Sequence, residues 1–151
     1  MQNFEQVKDV IEYSKTIHER LRKIYGSFNK KERPEREKML LDYLFEKQVQ
    51  IGEVLSNFEA ISKQSILENW MQFTPKVDLH QLSDERQTQV ELSFEEIVQF
   101  ADVFNHAFVE FYKEAANESE LPEVRMIFEN LAKMALQDNR QQNNTALFNA
   151  M

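Results

Sequence analysis

Residues 94–116, FEEIVQFADVFNHAFVEFYKEAA, carry the pattern that most narrows what this chain can become. Ile97, Ala101, Phe104, Phe108, Phe111 and Ala115 recur at steps of four and three, which places them on one stripe of an α-helix. A second seam beside it runs Val98, Ala101, Asn105, Phe108, Tyr112 and Ala115. A helix with so wide an apolar face has to be packed among other helices. Asn105 interrupts the second seam with an amide. A buried amide without a partner costs on the order of 1 to 3 kcal/mol, so a hydrogen-bonding neighbour is expected for it.

The same period recurs along the chain. Asn3 followed by Gln6 has the spacing of a capping box, and Phe4, Val7, Ile11, Ser14, His18, Leu21, Tyr25 and Phe28 form a first helical stripe that Gly26 is expected to end. The loop SFNKKER leads to Pro34, whose missing N–H suits the first residue of a second helix. Its stripe is Leu41, Leu44, Gln48, Ile51, Leu55 and Phe58, with Phe45 and Val54 beside it, fading toward Trp70. From Gln72 to Leu92 the periodicity fails, which predicts an extended connection. Ser93 with Glu96 opens the third helix as a capping box, and Pro122 opens a fourth along Phe128, Leu131, Ala135 and Asp138, with Ile127 and Met134 alongside. The polar end from Gln137 is expected to fray.

Adjacent antiparallel helices need only about two to eight linking residues, so a connection of roughly 20 predicts a crossover running along a bundle. The order is then two helices, one long crossover and two helices. Composition agrees: two Gly, three Pro and a dominance of helix formers make the class all-α. With 42% hydrophobic residues and 12 Phe, 151 residues suffice for one core, so residues 1–151 are expected to form a single domain.

Charge and motifs exclude several functions. A net charge of -8 repels phosphate backbones and anionic lipid, which argues against nucleic-acid and membrane partners. The basic cluster Lys30, Lys31, Arg33, Arg36 and Lys38 is interleaved with Glu32, Glu35 and Glu37 and is expected to be a solvated loop and helix start. Without cysteine there is no disulfide, thiolate zinc site or cysteine nucleophile. The charged N-terminus is unlike a signal peptide and no apolar run approaches the ~18 residues that span a bilayer, so a cytoplasmic location is expected. No nucleotide or hydrolase motif of the P-loop, G-x-G-x-x-G, G-x-S-x-G or H-E-x-x-H kind is present.

The two halves echo one another: His18, Leu21 and Tyr25 are spaced like Asn105, Phe108 and Tyr112, and the next helix of each half carries a polar position, Gln48 or Asp138, on its core stripe. Two helix pairs, one long crossover and polar residues in the middle of each stripe resemble the ferritin-like superfamily, particularly its small rubrerythrin-like bacterial members. The resemblance implies an antiparallel four-helix bundle. In that family the first and third helices each supply a Glu, and the second and fourth each supply a Glu-x-x-His, to hold two iron or manganese ions. Carried onto this chain, the single Glu positions fall on His18 and Asn105, one Glu-x-x-His falls on Phe45 and Gln48, and the other on Ala135 and Asp138. None of the six matches, and no Glu stands three residues before a His. The resemblance therefore supports the fold and argues against di-metal oxidase, peroxidase or iron-storage activity.

For these positions the bland roles lead. His18 is expected to be a core histidine bonded to Asp138 or Gln48, Gln48 and Asn105 to share its polar network, and Phe45 and Ala135 to be plain core. The segment IHERLRKI lacks the Leu, Lys and Gly that a phosphotransfer helix carries two, three and four residues after its histidine; Arg20, Leu21 and Arg22 stand there. His106 is expected toward a helix edge. His80, with Asp78 and Asp84, offers a weak surface metal contact. Trp70, Met71 and Phe73 are expected to pack over the bundle end or to make a dimer contact.

The expected function is a non-catalytic, cytoplasmic binding or protein-interaction module without a cofactor, homodimeric and with a protein partner. Two alternatives stay open. One is an altered mononuclear site in which His18, Gln48, Asn105 and Asp138 hold one iron, manganese or zinc ion, in an oxidoreductase or stress-related protein. The other is a carrier of a small apolar ligand in the Phe-rich interior.

Overall fold

A computed structural model describes residues 2–29, 32–86 and 92–150, with side chains at all of these except 86 and 138–150. Lys30 and Lys31 of the basic cluster, residues 87–91 of the crossover and the carboxylate of Asp138 lie outside that description. The chain runs β1 (Phe4–Gln6), α1 (Val7–Phe28), α2 (Glu35–Ile61), α3 (Gln64–Leu67), β2 (Trp70–Phe73), α4 (Leu79–Arg86), α5 (Phe94–Asn117) and α6 (Pro122–Ala150). The class is all-α with one small two-stranded sheet, β1 with β2. Among the described residues no helix is long and apolar enough to cross a membrane. Contacts cluster into two compact units. One comprises Met1–Glu5, Met71–Leu79 and Leu92–Met151, and the other Gln6–Trp70 and His80–Glu91.

The second of these units is built on the pairing of α1 with α2. The capping box at the start of α1 lies three residues further along than Asn3 and Gln6 predict: Gln6 is the N-cap, and its N–H donates to Asp9 Oδ2 at 3.2 Å. Residues 4–6 are drawn into a strand instead, and the Val7 N–H continues the pairing by donating to Asn69 O at 3.1 Å. Gly26 does not end α1. It has ordinary helical backbone, and the turn comes at Asn29, whose N–H donates to Tyr25 O. Pro34 is the N-cap of α2 rather than its first residue, so the helix starts at Glu35, one residue later than predicted, and the Pro34 carbonyl accepts from Glu37 and Lys38 at 3.0 and 3.2 Å. Arg33 of the basic cluster is not solvated: its side chain is 7% exposed, donating to Phe28 O at 2.8 Å and pairing with Glu37 at 3.1 Å. It thereby ties the α1–α2 turn to the first turn of α2.

The predicted extended connection also proves structured. Helix α2 stops at Ile61, and α3, β2 and α4 occupy the crossover. Helix α4 is held to α1 by side chains that no periodicity reveals: Arg20 donates to Ser83 Oγ at 2.9 Å and pairs with Asp84 at 2.6 Å, while the His80 N–H donates to Tyr13 Oη at 3.0 Å.

The other unit is built on α5 and α6. The Ser93 capping box forms as the sequence predicts, with Glu96 N–H donating to Ser93 Oγ and Ser93 N–H to Glu96 Oε1. Helix α6 begins at Pro122 as expected and continues to Ala150, past the end predicted to fray. Aromatic rings fill this core. Phe108 stacks on Tyr112, Tyr112 on Phe128, and Phe111 meets Phe4 and Phe73 at centroid distances of 6.4 and 5.4 Å. Met71 and Phe73 are buried, Phe73 against Phe4 and Phe111, while Trp70 stays 58% exposed.

Candidate functional site

His18 lies on the buried stripe of α1 between Ser14 and Leu21, and Gln48 on that of α2 between Leu44 and Ile51. Their side chains meet, His18 Nδ1 to Gln48 Oε1 at 2.7 Å. Since Gln48 Oε1 only accepts, Nδ1 carries the hydrogen. His18 is 1% exposed, and burial pushes its pKa down to about 4; the bond to Gln48 opposes this only in part. The imidazole is therefore neutral at physiological pH, which unsuits it to act as an acid there. At 1% exposure the ring is not presented at the surface as a phosphotransfer histidine would be. Of the two partners expected for His18, Gln48 is observed, and Asp138 falls outside the described side chains.

Asn105 is 6% exposed on α5 and Ala135 3% exposed on α6, as their stripes predict. Phe45 departs from expectation. It is half-buried rather than plain core, with the Arg22 guanidinium 5.4 Å above its ring, and it lies 3.6 Å from where a Cβ on Gly26 would stand. The ring offers a cation–π face and no metal donor at a position where the resemblance would place a carboxylate. Among the described residues no three His, Asp or Glu side chains gather as a metal site. With Nδ1 of His18 committed to an amide and Phe45 without a donor, these residues do not fit the di-metal centre of the ferritin-like pattern. The remaining histidines are engaged locally. His80 lies 3.3 Å from Asp84, which Arg20 also holds, and exposed His106 bonds the Asp102 carbonyl at 2.8 Å, at a helix edge as expected.

A feature the sequence reading missed lies between the same two helices. A groove of about 870 Å³ runs along α1 and α2 with Phe45, His18, Gln48 and Gly52 among its lining residues. Its rim is charged. Lys15 binds Glu59 at 2.9 Å and Glu12 at 3.6 Å, and hydrogen bonding to Glu59 together with burial raises the Glu12 pKa. Arg22 pairs with Glu19, holding that carboxyl below its ordinary range. The signal in the sequence was Gly52, a glycine in the middle of an otherwise strong helix. Among the described residues a Cβ built there meets nothing within 4 Å, and its φ is not positive.

Comparisons with protein-family models, curated proteins and solved structures find no match for this chain.

Proposed function

We propose that the two helix hairpins close into one ferritin-like antiparallel four-helix bundle, and that this bundle is a non-catalytic, cytoplasmic binding or protein-interaction module that works as a homodimer. The observation that carries the reading is the His18–Gln48 pair: a neutral, buried imidazole bonded to an amide at two of the six positions where the resemblance would place metal ligands. An imidazole held in this way contributes packing and orientation rather than chemistry. The long crossover between α2 and α5, and the buried amide of Asn105 at the corresponding position of the other hairpin, support the same arrangement.

Metal analysis of protein purified without chelator tests the non-catalytic part. The expected result is no stoichiometric iron, manganese or zinc. Stoichiometric metal that disappears in the paired variant His18→Ala and Asp138→Ala overturns it in favour of a mononuclear site. Sedimentation at micromolar concentration tests the dimer, which a monomer would remove.

A further inference from the structure

Helix α4 stands apart from the pairings that build the two units, α1 with α2 and α5 with α6. It has 8 residues, fewer than the ~12–15 at which a helix begins to be stable in isolation, so its contacts with the rest of the chain decide whether it forms. The division between the units falls inside it: Leu79, 0% exposed, goes with one, and His80 onward with the other. From His80 to Glu85 the one apolar side chain is Leu82, which is half-buried, while His80, Gln81, Asp84 and Glu85 are exposed. So little apolar burial gives this segment a weak hydrophobic hold.

Polar contacts tie it to α1 near both ends. The His80 N–H is one of the first-turn amides that a helix cannot satisfy within itself, and Tyr13 Oη accepts from it at 3.0 Å. At the other end the Arg20 guanidinium reaches two residues: Nη1 donates to Ser83 Oγ at 2.9 Å and Nη2 to Asp84 Oδ1 at 2.6 Å. Ser83 is 1% exposed and passes its own hydrogen to His80 O at 2.8 Å, so Arg20 closes on the inner face of the helix. The ion pair is open to solvent, 28% exposed at Arg20 and 48% at Asp84, and such pairs are screened by salt. Tyr13 and Arg20 share one face of α1 with Ile17, which is 0% exposed.

We propose that residues 80–85 form a latched strap, released from α1 as a unit while α1 and α2 stay paired, with Arg20 as the latch and Tyr13 as the cap. A helix this short unfolds once it has lost its contacts, so release exposes its amides and uncovers the α1 face of Tyr13, Ile17 and Arg20. The strap responds to ionic strength because its latch is an ion pair in contact with solvent. This goes beyond the proposed function and does not depend on it.

Native-state hydrogen exchange of the full chain, followed by amide NMR at rising sub-denaturing urea, is the test. The amides of Ser83, Asp84 and Glu85, which bond within α4, are expected to exchange about a hundredfold faster than those of Leu21 and Tyr25 in α1, at rates that urea hardly changes. Arg20→Gln and Tyr13→Phe each speed the three amides about tenfold and leave Leu21 and Tyr25 as they were. Arg22→Gln breaks the pair with Glu19 within α1 and leaves all of these rates unchanged. Should Arg20→Gln fail to fold, Asp84→Asn removes the same ion pair from the exposed side and gives the same acceleration. Salt at about 0.5 M speeds strap exchange in the wild type and not in Arg20→Gln. If the α4 amides share the rate and urea dependence of Leu21 and Tyr25, the strap opens only with the whole unit and the proposal is overturned. It is equally overturned by α4 amides with no protection, by fast exchange that neither variant alters, or by the same salt response in wild type and Arg20→Gln.

Discussion

Acid is expected to destabilise this fold through His18, over and above what its carboxylates contribute. The perturbation is a fall in pH from about 7 to about 4. In the unfolded chain the imidazole takes its proton near its ordinary value of 6.5, and in the folded chain burial delays this to about 4. Between those values the unfolded state binds more protons, so stability falls as pH falls. The contribution is fully present above 6.5 and is lost as pH drops toward 4, at about 1.4 kcal/mol per pH unit. Over the whole window this comes to about 3 kcal/mol, a large share of the ~5–15 kcal/mol that domains usually possess. Carboxylates take up protons in acid as well, among them Glu12, whose pKa is raised by its hydrogen bond to Glu59 and by burial, so the effect must be read as a difference. The reference is the double variant His18→Leu and Gln48→Leu, because His18→Leu alone leaves the Gln48 amide buried without its partner at a cost of about 1–3 kcal/mol. Urea unfolding followed by circular dichroism at several pH values supplies both curves. The wild-type curve is expected to fall below that of the double variant by about 3 kcal/mol on acidification. Parallel curves would refute the reasoning, since they would mean that His18 titrates alike in the folded and unfolded states.

Three further outcomes follow from the packing. Gly52→Ala is expected to raise stability by about 1 kcal/mol, seen as a higher urea midpoint, because the added methyl meets nothing within 4 Å among the described residues. Ser93→Ala removes the oxygen that accepts from Glu96 N–H and is expected to cost about 1 kcal/mol in the same assay. Phe111→Ala empties a site that is 0% exposed and ringed by Phe4, Phe73 and Tyr112, with an expected loss of about 3–5 kcal/mol in chemical denaturation, whereas Trp70→Ala, at a residue 58% exposed, is expected to shift the midpoint little.

What could be read from the sequence was what is local. Ser93 with Glu96, Pro122 and the Phe stripe of α5 each act within one or two helical turns, and each stands where its own chemistry places it. The polar position at His18 was legible because an imidazole on an apolar stripe has few ways to be satisfied, and Gln48 on the next stripe was among them. The departures have tertiary causes. Asn3–Gln6 and Gln6–Asp9 are overlapping boxes of equal spacing, and the choice between them is made by Phe4, which packs against Phe73 and Phe111 from a strand rather than a helix. Gly26 resembles a helix terminator in isolation, yet α1 continues through Phe28 and Gly26 lies against Phe45. The crossover lacks periodicity because α4 is held by Arg20 and Tyr13, polar contacts that leave no hydrophobic pattern. The groove was missed for the opposite reason: its charged walls look like two ordinary solvated helix faces until α1 and α2 are side by side.

The central claim is that a neutral imidazole bonded to an amide stands where the ferritin-like pattern has metal ligands, and the nitrogen spectrum of His18 tests it most directly. A long-range proton–nitrogen correlation experiment at neutral pH, repeated after adding zinc, reports which ring nitrogen carries hydrogen and whether either binds metal. The predicted result is a neutral ring protonated at Nδ1, the atom 2.7 Å from Gln48 Oε1, with resonances unmoved by zinc. A charged ring, a hydrogen on Nε2 alone, or a shift on addition of the metal would contradict the account.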